Sequence, residues 1–69
     1  MRKEPKSFSV TIEFDGKTYS ATYTVSSRVV TVTSLYGSLS TQVGGSRSDV
    51  VARMLFHEIL RGAKSRGEL

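Results

Sequence analysis

The chain has 69 residues, 38% hydrophobic and 23% charged, with a formal net charge of +4 and no cysteine. That length fits one small domain, residues 1–69, with a thin core. The missing cysteines exclude a disulfide framework and a thiolate metal site, and fit a reducing, cytoplasmic setting.

The charge is unevenly placed. Between Ser7 and Leu60 the bases Lys17, Arg28, Arg47 and Arg53 balance the acids Glu13, Asp15, Asp49 and Glu58. The excess lies at the ends, on Arg2, Lys3, Lys6, Arg61, Lys64 and Arg66. Residues 1–6 and 64–69 therefore read as flexible, solvated tails. Met1-Arg2-Lys3 is followed by Glu4, Pro5 and Lys6 rather than an apolar run, so the start does not read as a signal peptide. Apolar runs are also far too short for a membrane span.

From Ser7 the pattern has period two. Phe8, Val10, Ile12 and Phe14 alternate with Ser7, Ser9, Thr11 and Glu13, as in a half-buried strand. Asp15-Gly16 is a favoured two-residue hairpin turn, since both positions accept positive φ. The second strand runs from Lys17 to about Val25. With this turn, Phe8 faces Tyr23, Val10 faces Ala21 and Ile12 faces Tyr19, so the apolar faces coincide. Ser27-Arg28 has no glycine, yet a turn there sets Val25 against Val30 and Tyr23 against Val32, again matching inward positions. The third strand is then Val29 to about Leu35.

A turn at Tyr36-Gly37 would set Ser34 against Leu39, Val32 against Thr41 and Val30 against Val43. This favours a fourth strand, Ser38 to Val43, over a long loop, although tyrosine at positive φ is uncomfortable. Gly44-Gly45 then breaks the sheet.

The last element is the only one with helical periodicity. Across Ser48–Ala63, the residues Val51, Ala52, Leu55, Phe56, Ile59 and Ala63 recur at three- and four-residue steps. Arg53, His57, Arg61 and Lys64 fall on the opposite side. Ser46 or Ser48 is the expected N-cap and Gly62 the expected C-cap. A helix of about 15 residues is marginal alone in water, so its stripe needs a sheet to cover.

The expected fold is α+β: a four-stranded antiparallel meander with one C-terminal helix on one face, ββββα, with three-stranded βββα as the alternative. The expected buried set is Phe8, Val10, Ile12, Phe14, Tyr19, Ala21, Tyr23, Val30, Val32, Leu39 and Val43, with Val51, Leu55 and Ile59 from the helix.

Little in the sequence points to catalysis. His57 is the only histidine and has the phase of a solvent-facing residue. Asp15 suits a turn and Asp49 a helix start. No G-x-S-x-G or Walker pattern is present, and Gly44-Gly45-Ser46 resembles an anion-binding turn in outline only. No enzyme activity, cofactor, catalytic residue, metal site or small-molecule ligand is expected.

Two contact surfaces remain. The final strand, Ser-Leu-Ser-Thr-Gln-Val, has neither charge nor proline, unlike the first edge with Pro5, Lys6 and Glu13. Ser38, Ser40 and Gln42 are its candidate self-association residues, and a homodimer is the leading expectation. Weak, non-specific nucleic-acid binding through the basic tails and Arg53, Arg61 and Lys64 is the alternative. The outer sheet face is nearly all small hydroxyl residues. It lacks the basic groups that read DNA bases and the aromatics that stack RNA bases.

The runs Phe14-Asp15-Gly16-Lys17-Thr18-Tyr19 and Tyr36-Gly37-Ser38-Leu39-Ser40-Thr41-Gln42-Val43-Gly44-Gly45 resemble a family of short bacterial proteins with no assigned function. The similarity spans most of Phe8 to Arg61 and implies no activity. The order of strands then helix also loosely resembles double-stranded RNA-binding domains. The first helix of those domains and the paired lysines that open their second are missing here, so that function is not carried over.

Overall fold

The computed structural model describes residues 7–45 and 47–69. The expected N-terminal tail, residues 1–6, and the candidate cap Ser46 lie outside the described residues. The chain forms β1 (Ser7–Phe14), β2 (Lys17–Ser26), β3 (Val29–Ser34), β4 (Gly37–Gln42) and α1 (Ser48–Ser65). The strands make one antiparallel sheet in the order β1-β2-β3-β4, the expected ββββα meander.

The first two registers follow the hydrophobic alternation. Phe8 pairs with Tyr23, Val10 with Ala21 and Ile12 with Tyr19. Tyr23 pairs with Val32 and Val25 with Val30. Asp15 and Gly16 both take positive φ, as does the glycine-free pair Ser27 (50°) and Arg28 (63°).

The third register departs from expectation by two residues. The turn is Leu35-Tyr36, so Val32 pairs with Leu39 and Val30 with Thr41, while Ser34 faces Gly37. Neither Leu35 nor Tyr36 is left-handed. Gly37, just beyond the turn, takes φ 134° and absorbs the reversal, as glycine does after a turn of ordinary hand. Ser34 braces the turn: its Oγ accepts from the Tyr36 amide at 3.1 Å and donates to the Gly37 carbonyl at 3.0 Å. A shift of two preserves side-chain parity, so the inward and outward faces stand as expected. The outer rows become Ser9, Thr22, Thr33, Ser38 and Ser7, Thr24, Thr31, Ser40.

The helix packs across the inner face, but not on the centre line expected. Phe56 and Leu60 are fully buried, with Ala52 and Ala63 equally covered, whereas Leu55 is only half-buried. The two alanines let the helix sit close to the sheet, which turns Phe56 and Leu60 toward Val30 and Val32 in one buried cluster. Leu60 lay outside the expected stripe.

Two residues expected in the core are exposed at the sheet margins. The inward row Phe8-Tyr23-Val32-Leu39 crosses all four strands. Its middle is buried, while Phe8 is 43% and Leu39 40% exposed. The cause is geometric. Four strands about 4.8 Å apart span roughly 14 Å between outer axes, and one helix about 10 Å wide cannot cover both edges. Phe8 recovers part of the loss by stacking on Tyr23, with ring centroids 5.3 Å apart.

The helix ends also differ from expectation. Ser48 is its first residue rather than its cap. Arg47 holds the cap position without a side-chain hydrogen bond to the helix amides, and its carbonyl accepts from the Val51 amide at 3.1 Å. Asp49 supplies negative charge to the first turn. At the other end the helix runs past Gly62, so Lys64 and Ser65 are helical rather than part of a tail. Gly67 takes φ 77°, its amide reaches the Lys64 carbonyl and the Glu68 amide reaches that of Ala63, which is a Schellman closure. Arg66 donates to the Tyr36 carbonyl at 3.3 Å, tying this end to the β3–β4 turn. Its guanidinium also hydrogen-bonds Glu68 at 2.9 Å and holds that carboxyl below its usual range. The stabilisation is present at neutral pH and is lost as pH falls through the lowered pKa. It is small, because both groups are exposed.

Gly62 is thus a glycine in a helix interior, with no positive φ to justify it. An added Cβ would approach only the tip of the Arg66 side chain, at 3.2 Å. Gly62→Ala is expected to stabilise the fold by about 0.5–1 kcal/mol, read as a higher urea midpoint. A lower midpoint would show that the added methyl displaces the Arg66 guanidinium from the Tyr36 carbonyl.

Candidate functional site

The candidate site is the free edge of β4 and the groove beside it. Every residue of Gly37–Gln42 is exposed, although β3 bonds one side of the strand. The Val43 amide donates to the Arg28 carbonyl at 2.8 Å, so Val43 turns its backbone groups toward β3. Antiparallel strands alternate, so Thr41, Leu39 and Gly37 do the same. The backbone groups of Ser38, Ser40 and Gln42 therefore point away from β3, along the open edge. These are the three residues expected there. Their side chains lie on the outer face, where Ser40 Oγ sits 3.0 Å from Thr31 Oγ1.

On the inner face, β4 forms one wall of a groove and α1 the other. Along the first half of the helix the groove is lined by Thr41, Val43, Val51, Met54 and Leu55, and also by Ile12, Gln42, Arg53, His57 and Glu58. Near the helix end it is lined by Leu39, Glu58, Ile59 and Gly62, and by Tyr36 and Arg66. Met54 is 63% exposed on the helix wall. The apolar part of this lining is not evident from the sequence. It follows from the rotation of α1 that buries Phe56 and Leu60 and so leaves Leu55 half-covered.

The second candidate surface is more neutral than its sequence suggests. Arg53, Arg61 and Lys64 are all exposed, but each lies beside a carboxylate. Arg53 is 3.8 Å from Asp49, Arg61 is 3.1 Å from Glu58, and Lys64 is 2.6 Å from Asp15 across the β1–β2 turn. Their field on a distant polyanion is correspondingly reduced. His57 is exposed and sits edge-on to Phe14, with ring centroids 5.2 Å apart. It and Lys64 flank the buried stripe, next to the β1–β2 hairpin, rather than lying opposite it. Among the described residues, no three of His, Asp and Glu converge as metal ligands. No helix of the described residues is long and apolar enough to cross a membrane.

No protein-family model, curated protein or solved structure matches this chain.

Proposed function

We propose that this chain is a non-catalytic interaction protein that self-associates by adding a strand at the β4 edge. The observation that carries the reading is the state of β4. It is six residues long, wholly exposed, uncharged and without proline, with outward backbone groups at Ser38, Ser40 and Gln42. Edges of this kind invite another strand unless charge, proline or a covering element blocks them. The other edge carries Glu13 and leads into Phe14-Asp15. A β4-to-β1 contact would also be head-to-tail and would propagate, whereas β4 against β4 closes by two-fold symmetry. The net charge of +4 opposes association in general, so a neutral strand is where two copies meet with least repulsion.

The test is the mass in solution. Light scattering on the native chain is expected to give twice the 7.6 kDa of one copy at micromolar concentration. Ser40→Lys is expected to return it to the monomer. Thr33→Lys, on the same outer face but within the sheet, should leave the dimer intact. A native chain that is monomeric at high micromolar concentration would end this reading.

A further inference from the structure

We infer that the partner strand is β4 of a second copy in one register, centred on Ser40 facing its own symmetry mate. The inference rests on the self-association reading above and goes further, because it fixes which residues meet.

The direction of the backbone groups and the limits of β4 fix the pairing. Ser38, Ser40 and Gln42 present theirs to the open edge, so a partner strand must pair with those three. A two-fold axis through an antiparallel pair places one residue opposite itself. With the axis at Ser40, Ser40 faces Ser40 of the partner subunit, and Ser38 of each copy faces Gln42 of the other. All three residues then lie in pairs that exchange two hydrogen bonds each. With the axis at Leu39, Gln42 would face Tyr36, which lies in the turn beyond the strand. With the axis at Thr41, Ser38 would face Gly44, where the chain has left the sheet and φ is 61°. Either alternative strands one outward residue at each end.

The side chains agree with the Ser40 axis. It sets Leu39 opposite Thr41 across the junction, both on the inner face, so the exposed Leu39 of each copy gains a neighbour carrying a methyl group. On the outer face it sets hydroxyl against hydroxyl and Ser38 against the Gln42 amide, with no like charges opposed. Both helices then lie on the same side of one continuous eight-stranded sheet.

The absence of native cysteine makes the register directly measurable. Single variants Leu39→Cys, Ser40→Cys and Thr41→Cys are oxidised mildly, with Thr22→Cys as an outer-face control within the sheet. Directly opposed residues in a bonded pair have Cα atoms about 5.5 Å apart, within the roughly 4.4–6.8 Å that a disulfide spans. Ser40→Cys is expected to give the disulfide-linked dimer fastest. On the unsubstituted chain, the amides of Ser38, Ser40 and Gln42 should exchange slowly when concentrated and fast on dilution, while those of Leu39 and Thr41 stay slow in both. Faster linkage of Leu39→Cys or Thr41→Cys, in a chain that scatters as a dimer, overturns the register but leaves self-association standing. A dimer whose Ser38, Ser40 and Gln42 amides remain fast puts the interface elsewhere and overturns the inference. A monomer removes the reading itself.

Discussion

Phe56→Ala is expected to remove roughly half of the fold's stability, the largest loss of any single truncation in the core. Phe56 has no exposed surface and sits among Val30, Val32, Ala52 and Leu60 in the buried cluster between helix and sheet. Removing a buried phenylalanine costs about 3–5 kcal/mol. A 69-residue domain holds roughly 3–10 kcal/mol in total, at typical stability per residue. Leu55→Ala serves as the contrast. Leu55 is half-buried on the groove wall, so its truncation should cost about 1–2 kcal/mol, in proportion to the area it covers. Urea denaturation followed by circular dichroism separates the two. A larger loss at Leu55 than at Phe56 would mean that the helix is rotated toward the stripe its spacing first suggests.

The second large effect is a gain. Replacing Ser27→Asn and Arg28→Gly together should stabilise the fold by about 1–2 kcal/mol. Both residues hold left-handed backbone, at φ 50° and 63°, and side-chain-bearing residues pay roughly that much to stay there. Asn-Gly is the pair a two-residue hairpin of this hand favours. The gain is below the sum for two strained residues, because glycine also loosens the unfolded chain. The Arg28 carbonyl, which accepts from Val43, is kept in the variant. An unchanged urea midpoint would show that left-handed backbone at Ser27 and Arg28 costs the native chain little.

How far the fold was legible follows from which features are periodic. Strands β1 to β3 can be aligned from sequence because apolar residues alternate with polar ones along them and the connecting turns hold two residues. The β3–β4 register differs from the one the sequence suggests because Gly37 looks like a turn residue and is in fact the residue after the turn. Ser34, which braces Leu35-Tyr36, was the overlooked signal. The faces were unaffected, since the error was an even number of residues. Leu39 and Phe8 carry the right phase for the core, and no pattern along the chain says how wide a sheet the helix can cover. In the helix, eight apolar residues from Val51 to Ala63 form a broad arc, and periodicity alone does not choose its centre. Close approach at Ala52 and Ala63 chooses it. The edge residues Ser38, Ser40 and Gln42 were legible through alternation. The groove beside them was not, because it depends on the helix rotation.

The meander has a consequence for synthesis. Each strand pairs with its neighbour in sequence through a two-residue turn, so the sheet can assemble hairpin by hairpin as the chain emerges. Its cover follows all four strands: Phe56, Leu60 and Ala63 lie in α1. Until they leave the ribosome, Val10, Tyr23, Val30 and Val32 form an apolar face with nothing over it, beside an open strand edge. The chain is therefore most prone to non-native association in the interval after β4 forms and before α1 docks. A chain truncated before Phe56 would retain that sticky sheet permanently, a natural substrate for chaperones and proteases rather than a weaker version of the same protein.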